Sequence, residues 1–235
     1  MQINNIYNFT SIFSIEDAEE IQNNICNKIN LECPFKSINE IKSVAGCSVV
    51  FTKDDKTAYS SVVVLDFSDL KIIEKVSIKI TNLKFFPYIP GLLAFREGPL
   101  LLMALKKLNT EPDIILVNGH GIAHQKRAGL ATHIGLFLNK PTIGCAKEIL
   151  YGFFIEPPPS LRGAFNYIKD ESGDIIGIVL ITKPYTKPIF ISPGYMIDIE
   201  LAGDIVLELT KKYRFPEPLR IAIQEAKKTR DRKSQ

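Results

Sequence analysis

Several residues that could take part in polar chemistry lie in one short stretch, from Asn118 to Arg127. The stretch reads NGHGIAHQKR and combines two amides, two glycines, two histidines and two cations. All three histidines of the chain, His120, His124 and His133, fall within fourteen residues. Imidazoles can bind a metal ion together, or they can cap a loop and contact phosphate. A position between a strand and a helix favours the second alternative.

Three cations could hold the phosphate groups of a ligand. Lys126 and Arg127 lie near a predicted helix start, where the helix dipole disfavours a cation unless an anion binds beside it. Lys147 follows a short apolar strand. We therefore expect these side chains to contact phosphate rather than solvent alone.

A meander and a series of α/β units must position these residues. Apolar spacing predicts helices over residues 15–30, 92–108 (interrupted at Gly98 and Pro99) and 126–138, and two more near the C-terminus. Short apolar or alternating segments predict strands over 43–52, 58–67, 70–82, 113–118, 141–146, 174–182 and 188–192. The first three should be antiparallel neighbours, with 113–118 added parallel to the first. This order favours an α/β fold, a mixed sheet with helices on both faces.

The composition indicates one soluble domain. The chain has 235 residues, of which 46% are hydrophobic, and its net charge of +3 is too small by itself to indicate a nucleic-acid partner. Four cysteines without a CxxC spacing, and the lack of a leader or long apolar run, predict a reduced, cytoplasmic protein without a membrane span. We expect a single domain over 1–235, with a basic tail at 227–235 that is flexible and solvated or touches phosphate.

Five segments, in this order, resemble motifs of the endonuclease V family. They are PYIPGLLAFREGP (87–99), VNGHGIAHQKRAGLATHIGL (117–136), KPTIGCAK (140–147), FISPGYMIDIE (190–200) and YRFPEPLR (213–220). The resemblance covers residues 40 to 225 and implies an RNase H-like fold. It also implies Mg²⁺-dependent cleavage near inosine, a deaminated adenine, in DNA or RNA, as in DNA repair.

The resemblance places most catalytic positions on residues that do not suit catalysis. The family pattern AGVDxSF corresponds to AGCSVVF, so that Ser48 replaces an aspartate, and Asn118 replaces the aspartate of VDGxGxAHPR. Tyr195 replaces the histidine of SPGH, and only the glutamate of FREGP remains, as Glu97. Mg²⁺ requires hard, charged oxygen ligands. We therefore expect weak or absent metal binding at Glu97.

The expected function is that of a pseudoenzyme, an inosine-binding protein without efficient cleavage. One alternative is an active Mg²⁺-dependent endonuclease in which Asp66, Asp113 or Asp198 restores a rearranged metal site. Another alternative is a non-catalytic subunit of a larger complex. A cofactor, Mg²⁺, is expected only for the active enzyme.

The segments that would bind nucleic acid are better preserved than the catalytic positions. Pro87, Tyr88, Ile89 and Pro90 match the family's wedge, a stiff apolar group that replaces the stacking of an extruded base. The resemblance adds that Gly91, Gly119 and Gly121 let main-chain groups approach a flipped hypoxanthine, and that His124, Lys126, Arg127 and Lys147 complete the binding surface.

Overall fold

The computed structural model describes residues 4, 6–8 and 14–232. Helix α1 (Ile15–Ile25) begins at a capping box in which Ser14 and Asp17 bond each other's backbone N–H groups. It ends at Ile25 rather than at residue 30, and a single 3-10 turn follows it. Its buried face consists of Ala18, Gln22 and Ile25.

Three antiparallel strands open the sheet, as predicted. They are β1 (Ser43–Phe51), β2 (Thr57–Asp66) and β3 (Ile72–Thr81). β1 pairs with β2, and β2 pairs with β3.

Two α/β units extend the sheet on the other side of β1. Helix α2 (Leu93–Leu105) leads to β4 (Ile114–Asn118), and helix α3 (Leu130–Leu138) leads to β5 (Thr142–Ala146). β4 is parallel to β1, as predicted, and β5 is parallel to β4. The predicted break at Gly98 and Pro99 is wrong, because α2 continues through Pro99 and buries residues 100–102, 104 and 105 in the core.

The remaining strands complete an eight-stranded mixed sheet. They are β6 (Phe165–Lys169), β7 (Ile175–Leu180) and β8 (Ile189–Tyr195), and the order is β3-β2-β1-β4-β5-β8-β7-β6. β6 was not predicted, because it is an edge strand in which only Ile168 is fully buried and it lacks an apolar pattern.

Helices cover both faces of the sheet. α2 and α3 pack on the face that carries Ala45 and Cys47, whereas α4 (Ile199–Glu208) and α5 (Glu217–Arg232) pack on the face that carries Val44 and Leu116. No helix in the described ranges is both long and apolar enough to cross a bilayer.

Residues 227–232 form the last turns of α5, and the flexibility expected of the basic tail stays a prediction. A local ion pair between Lys228 and Glu225, three residues apart, supports these turns. Residues 233–235 lie outside the described ranges.

Candidate nucleic-acid-binding site

The ends of β1 and β4 place Ser48 and Asn118 side by side. The parallel ladder ends at the pair Cys47–Val117, and each of the two polar residues follows one member of that pair. Because side chains alternate along a strand, Ser48 shares the face of Gly46, whose Cβ position is filled by the Pro218 backbone of α5. By the same alternation Asn118 lies on that face, with Leu116. The prediction that the two positions lie on neighbouring strands is confirmed.

The neighbours of Ser48 across the sheet are also neutral. Ser48 is buried and pairs with Ser61 on β2, which pairs in turn with Ser77 on β3. The hydroxyls of Ser61 and Ser77 are 2.8 Å apart, and Ser61 also donates to the carbonyl of Val76. A row of hydroxyl and amide groups therefore lies where a metal site would need carboxylates.

Glu97 cannot supply the missing charge alone. It belongs to α2, which packs on the opposite face of the sheet from Ser48 and Asn118. Its side chain is partly exposed, yet burial raises the pKa of its carboxyl to about 8, against a smaller opposing effect of Arg96. Within the described ranges, no three His, Cys, Asp or Glu side chains are grouped so that they could hold a metal ion. These residues do not fit Mg²⁺, and the convergence of Glu97 with the two strand ends stays a prediction.

The alternative carboxylates are used elsewhere. Asp113 accepts hydrogen bonds from the backbone N–H groups of Lys42 and Ser43, at the start of β4 and about 16 Å along the strand from Asn118. Asp66 closes the turn after β2 through Ser68. Asp198 caps α4 through the N–H of Leu201. Each carboxylate therefore has a local structural role.

Tyr195 does not join the strand ends. It pairs with Thr142 at the start of β5, whereas Asn118 pairs with Cys145 near the end of β5, about 10 Å along the strand. Its hydroxyl donates to the side chain of Asn139, the C-cap residue that follows α3. The interpretation of Tyr195 as a substituted catalytic position stays a prediction, although β8 runs antiparallel to β5 and carries it away from Asn118 along the strand.

A pocket of about 180 Å³ lies between the segment around the start of α2 and the loops that follow β4 and β5. Its lining includes Tyr88, Ile89, Pro90, Gly91, His120 and His124, together with residues 148–150. The ring of Tyr88 borders it and is 71% exposed, whereas Ile89 packs against Leu92 and Phe95. Pro87 and Pro90 are exposed beside them. The predicted wedge thus forms a rigid, exposed rim of a small, mainly apolar pocket.

The pocket wall at Gly91 is fixed by two donors from different elements. Gly91 has φ +85°, a conformation that favours glycine, in a turn closed by the N–H of Leu92 and the carbonyl of Ile89. The carbonyl of Gly91 accepts from Gln22 Nε2 at 2.8 Å and from His124 Nε2 at 2.7 Å. Gln22 was missed by the sequence analysis, although a glutamine on the apolar face of α1 could have indicated a buried polar contact.

The three histidines have separate partners. His124 donates through Nε2 to Gly91 and accepts the N–H of Lys126 through Nδ1, which requires a neutral ring, and burial lowers its pKa. His120 donates to the carbonyl of Glu148, and His133 meets the Tyr7 hydroxyl at 2.5 Å. Burial lowers the pKa of His120 to about 4 and that of His133 to about 3. The arrangement supports loop-capping roles and not a shared metal site.

Gly119 and Gly121 serve packing in this structure. The Gly121 N–H donates to Ser192 Oγ, and a Cβ there would lie 1.9 Å from the carbonyl oxygen of Pro193. The Gly119 N–H donates to the carbonyl of Cys145. Both N–H groups are therefore occupied, and of the three predicted glycines only Gly91 lines the pocket.

The three predicted phosphate contacts differ in availability. Arg127 is bound to Asp170 at 2.6 Å and to Asp174 at 3.3 Å, which makes it a structural residue here. Lys126 lies beside Glu19, with its amine 3.5 Å from the Glu19 carbonyl oxygen and 3.8 Å from the carboxylate. Lys147 is exposed, and its amine lies 5.2 Å from the ring centroid of Phe215.

The eight-stranded mixed sheet with helices on both faces defines a class of protein, the RNase H-like α/β proteins. The solved structure of endonuclease V from Bacillus subtilis superposes with a TM-score of 0.90 and 34% identity, covering 100% of this chain and 99% of that one. The predicted fold class is confirmed.

The chain belongs to the endonuclease V family, whose sequence model matches residues 23–224. The endonuclease V of Dictyoglomus thermophilum is 42% identical over 207 residues, which is 88% of this chain and 87% of that protein. The Ciona intestinalis endonuclease V has been solved in complex with a 24-mer DNA that contains an inosine followed by a ribo-adenosine. It has a TM-score of 0.79 and 29% identity, and covers 93% of this chain and 98% of that one.

Proposed function

We propose that this protein binds inosine-containing DNA or RNA through the pocket beside Tyr88 and cleaves it inefficiently or not at all. The proposal rests on a contrast between the pocket and the strand ends. The pocket has an exposed aromatic rim and a fixed wall, whereas the ends of β1 and β4 carry Ser48 and Asn118 in place of carboxylates.

The binding part follows from what an extruded base requires. Such a base needs a closely fitting pocket, and the gap that it leaves in the stack needs an apolar group. Tyr88 is exposed enough to fill such a gap, and Gln22 and His124 hold the wall at Gly91. The inosine-containing DNA held by the Ciona protein supports inosine as the base.

The impaired cleavage follows from charge. Metal-dependent hydrolysis relies on carboxylates that hold the ion and stabilise developing charge. Removal of one electrostatic contribution of this kind commonly costs about 10²–10³ in rate. Ser48 and Asn118 are both neutral, and Asp66, Asp113 and Asp198 are bound elsewhere. An active, inosine-specific endonuclease of repair or RNA processing would need a carboxylate from another source.

A paired binding and cleavage assay tests the proposal. Matched inosine and adenosine oligonucleotides are incubated with the protein, with Mg²⁺ and with Mn²⁺, and the expected result is tighter binding of inosine without scission. Tyr88→Ala should reduce the inosine preference by about 1–3 kcal/mol, the effect of one stacking contact. Phe153→Ala is the matched control, because Phe153 is 66% exposed but lies beside β6.

Two outcomes would contradict the proposal. Equal affinity for the two oligonucleotides would favour the non-catalytic subunit. Rapid strand scission in Mg²⁺ would show that the protein is an active enzyme.

A further inference from the structure

Two loops near the pocket contain five cations, two tyrosines and no acid. The loop between β7 and β8 reads ITKPYTKP over residues 181–188. The segment between α4 and α5 reads LTKKYRFP over residues 209–216. In a chain with 29 basic and 26 acidic residues, so local an excess of positive charge indicates an anionic partner.

Hydrogen bonds join the two loops into one surface. Thr182 Oγ1 donates to the carbonyl of Arg214 at 2.6 Å. Arg214 returns two bonds, from Nε to the carbonyl of Lys187 at 2.5 Å and from Nη2 to the carbonyl of Pro188 at 2.7 Å. These contacts hold Lys183, Tyr185 and Lys187 on an anchored loop.

This basic surface lies at the same sheet edge as the strand ends and the pocket. β7 ends at Leu180 opposite Ile189, and the next residue of β8, Phe190, pairs with Ala146 at the end of β5. Lys147 then reaches over the ring of Phe215, in the second loop, while residues 148–150 line the pocket. A path therefore runs from the pocket past Lys147 to the two loops.

The groups on the first loop are available to a ligand. Tyr185 is 81% exposed, and Lys183 and Lys187 are exposed as well. Neither lysine is ion-paired with any residue in the stretch 14–232. By contrast, Lys211 is paired with Glu208 at 2.6 Å.

We infer that this surface binds the single-stranded nucleic acid that flanks the base held in the pocket. Lys183 and Lys187 contact phosphates, and the ring of Tyr185 between them stacks on a base. A cationic groove with interleaved aromatic rings is the arrangement that binds single strands without reading their sequence. The inference rests on the proposed function, since the pocket defines where the strand begins.

Salt-dependent binding tests the inference. Fluorescence anisotropy is measured with inosine and adenosine 12-mers and with an inosine trinucleotide, from low to moderate salt. The double variant Lys183→Ala with Lys187→Ala should reduce the slope of log K against log salt by about 1.4, at about 0.7 per phosphate contact. Tyr185→Ala should weaken 12-mer binding by about 5- to 150-fold, the effect of one stacking contact. Both variants should affect the two 12-mers equally and spare the trinucleotide.

Matched controls separate the surface from general charge and general aromatic exposure. Lys106→Ala with Lys107→Ala removes two exposed lysines after α2, at the opposite edge of the sheet, and Phe153→Ala removes an exposed ring beside β6. Losses no larger than those of the controls would overturn the inference. If the intact protein binds both 12-mers equally and the surface variants bind them more weakly, the proposed inosine recognition is contradicted. The inference about the basic surface is then still supported. If the intact protein prefers inosine and the surface variants bind the 12-mers as tightly as the intact protein does, the inference about the basic surface is contradicted. The proposed function is then still supported.

Discussion

Ser48 and Asn118 are lateral neighbours on two parallel strands, each one residue beyond the pair Cys47–Val117. Their side chains share the face of the sheet that α5 covers. Two neutral side chains in this position leave the strand ends without a charge that could hold a divalent cation.

Restoring the two charges should restore metal affinity. The double variant Ser48→Asp with Asn118→Asp places two carboxylates on adjacent strands, which is the donor type that Mg²⁺ requires. Calorimetry should show weak Mg²⁺ binding by the natural chain and clearly tighter binding by the double variant, with each single variant in between. Micromolar Mg²⁺ binding by the natural chain would contradict the prediction that this site binds Mg²⁺ weakly.

Gln22 should affect the preference for inosine over adenosine, although it lies outside the pocket. Gln22→Ala removes the amide that bridges the carbonyls of Gly91 and Ala128, and we expect a loss of about 1–2 kcal/mol in unfolding free energy. The inosine preference should fall while adenosine binding is retained, because the wall at Gly91 is then held by His124 alone. Anisotropy with both oligonucleotides measures the preference, and Asn23→Ala, on the exposed face of α1, is the control.

A Gln22→Glu variant gives a further check. An ionised carboxylate cannot donate to the carbonyl of Gly91, whereas a protonated one can. The inosine preference of this variant should therefore recover as the pH falls. A preference that does not change with pH would argue against the role of the donor.

Arg127 should matter for stability and Lys147 for binding. Arg127→Ala leaves the nearly buried carboxylate of Asp170 without its cation and should destabilise the fold by about 1–3 kcal/mol. Lys147→Ala should weaken binding and reduce its salt dependence with little effect on stability. Urea unfolding measures the stability of the two variants, and fluorescence anisotropy measures their affinity for the oligonucleotides. In the double variant Arg127→Ala with Asp170→Ala, the two losses should be less than additive.

Glu97 should make the protein less stable as the pH rises. Burial raises the pKa of its carboxyl from 4.5 to about 8, so that the folded state holds a proton that the unfolded state releases. Its contribution is therefore present below pH 4.5 and is lost between pH 4.5 and 8. Urea unfolding at pH 5, 6.5 and 8 should show a decline that is reduced in Glu97→Gln. Identical pH profiles of the natural chain and Glu97→Gln would contradict the assignment of this decline to Glu97.

The sequence by itself determined the first three strands, the family and the neutral residues at two positions where the family motifs have aspartate. The meander of β1 to β3 was predictable because alternating or continuous apolar residues fix each strand, and short turns fix their antiparallel pairing. The family motifs located Ser48 and Asn118, and strand pairing alone made them neighbours. Local pattern was enough for these features because they depend on residues that are close along the chain or on one ladder.

The tertiary structure alone decided which polar residues are free to bind a ligand. Arg127 is occupied by an acid 43 positions away, and Gln22 reaches a carbonyl 69 positions away. Tyr195 belongs to a segment that resembles a family motif, but β8 runs antiparallel to β5 and places Tyr195 away from the strand end at Asn118. Hydrogen bonds and ion pairs across such separations depend on how helices and strands pack in space, and no periodicity in the sequence encodes that packing.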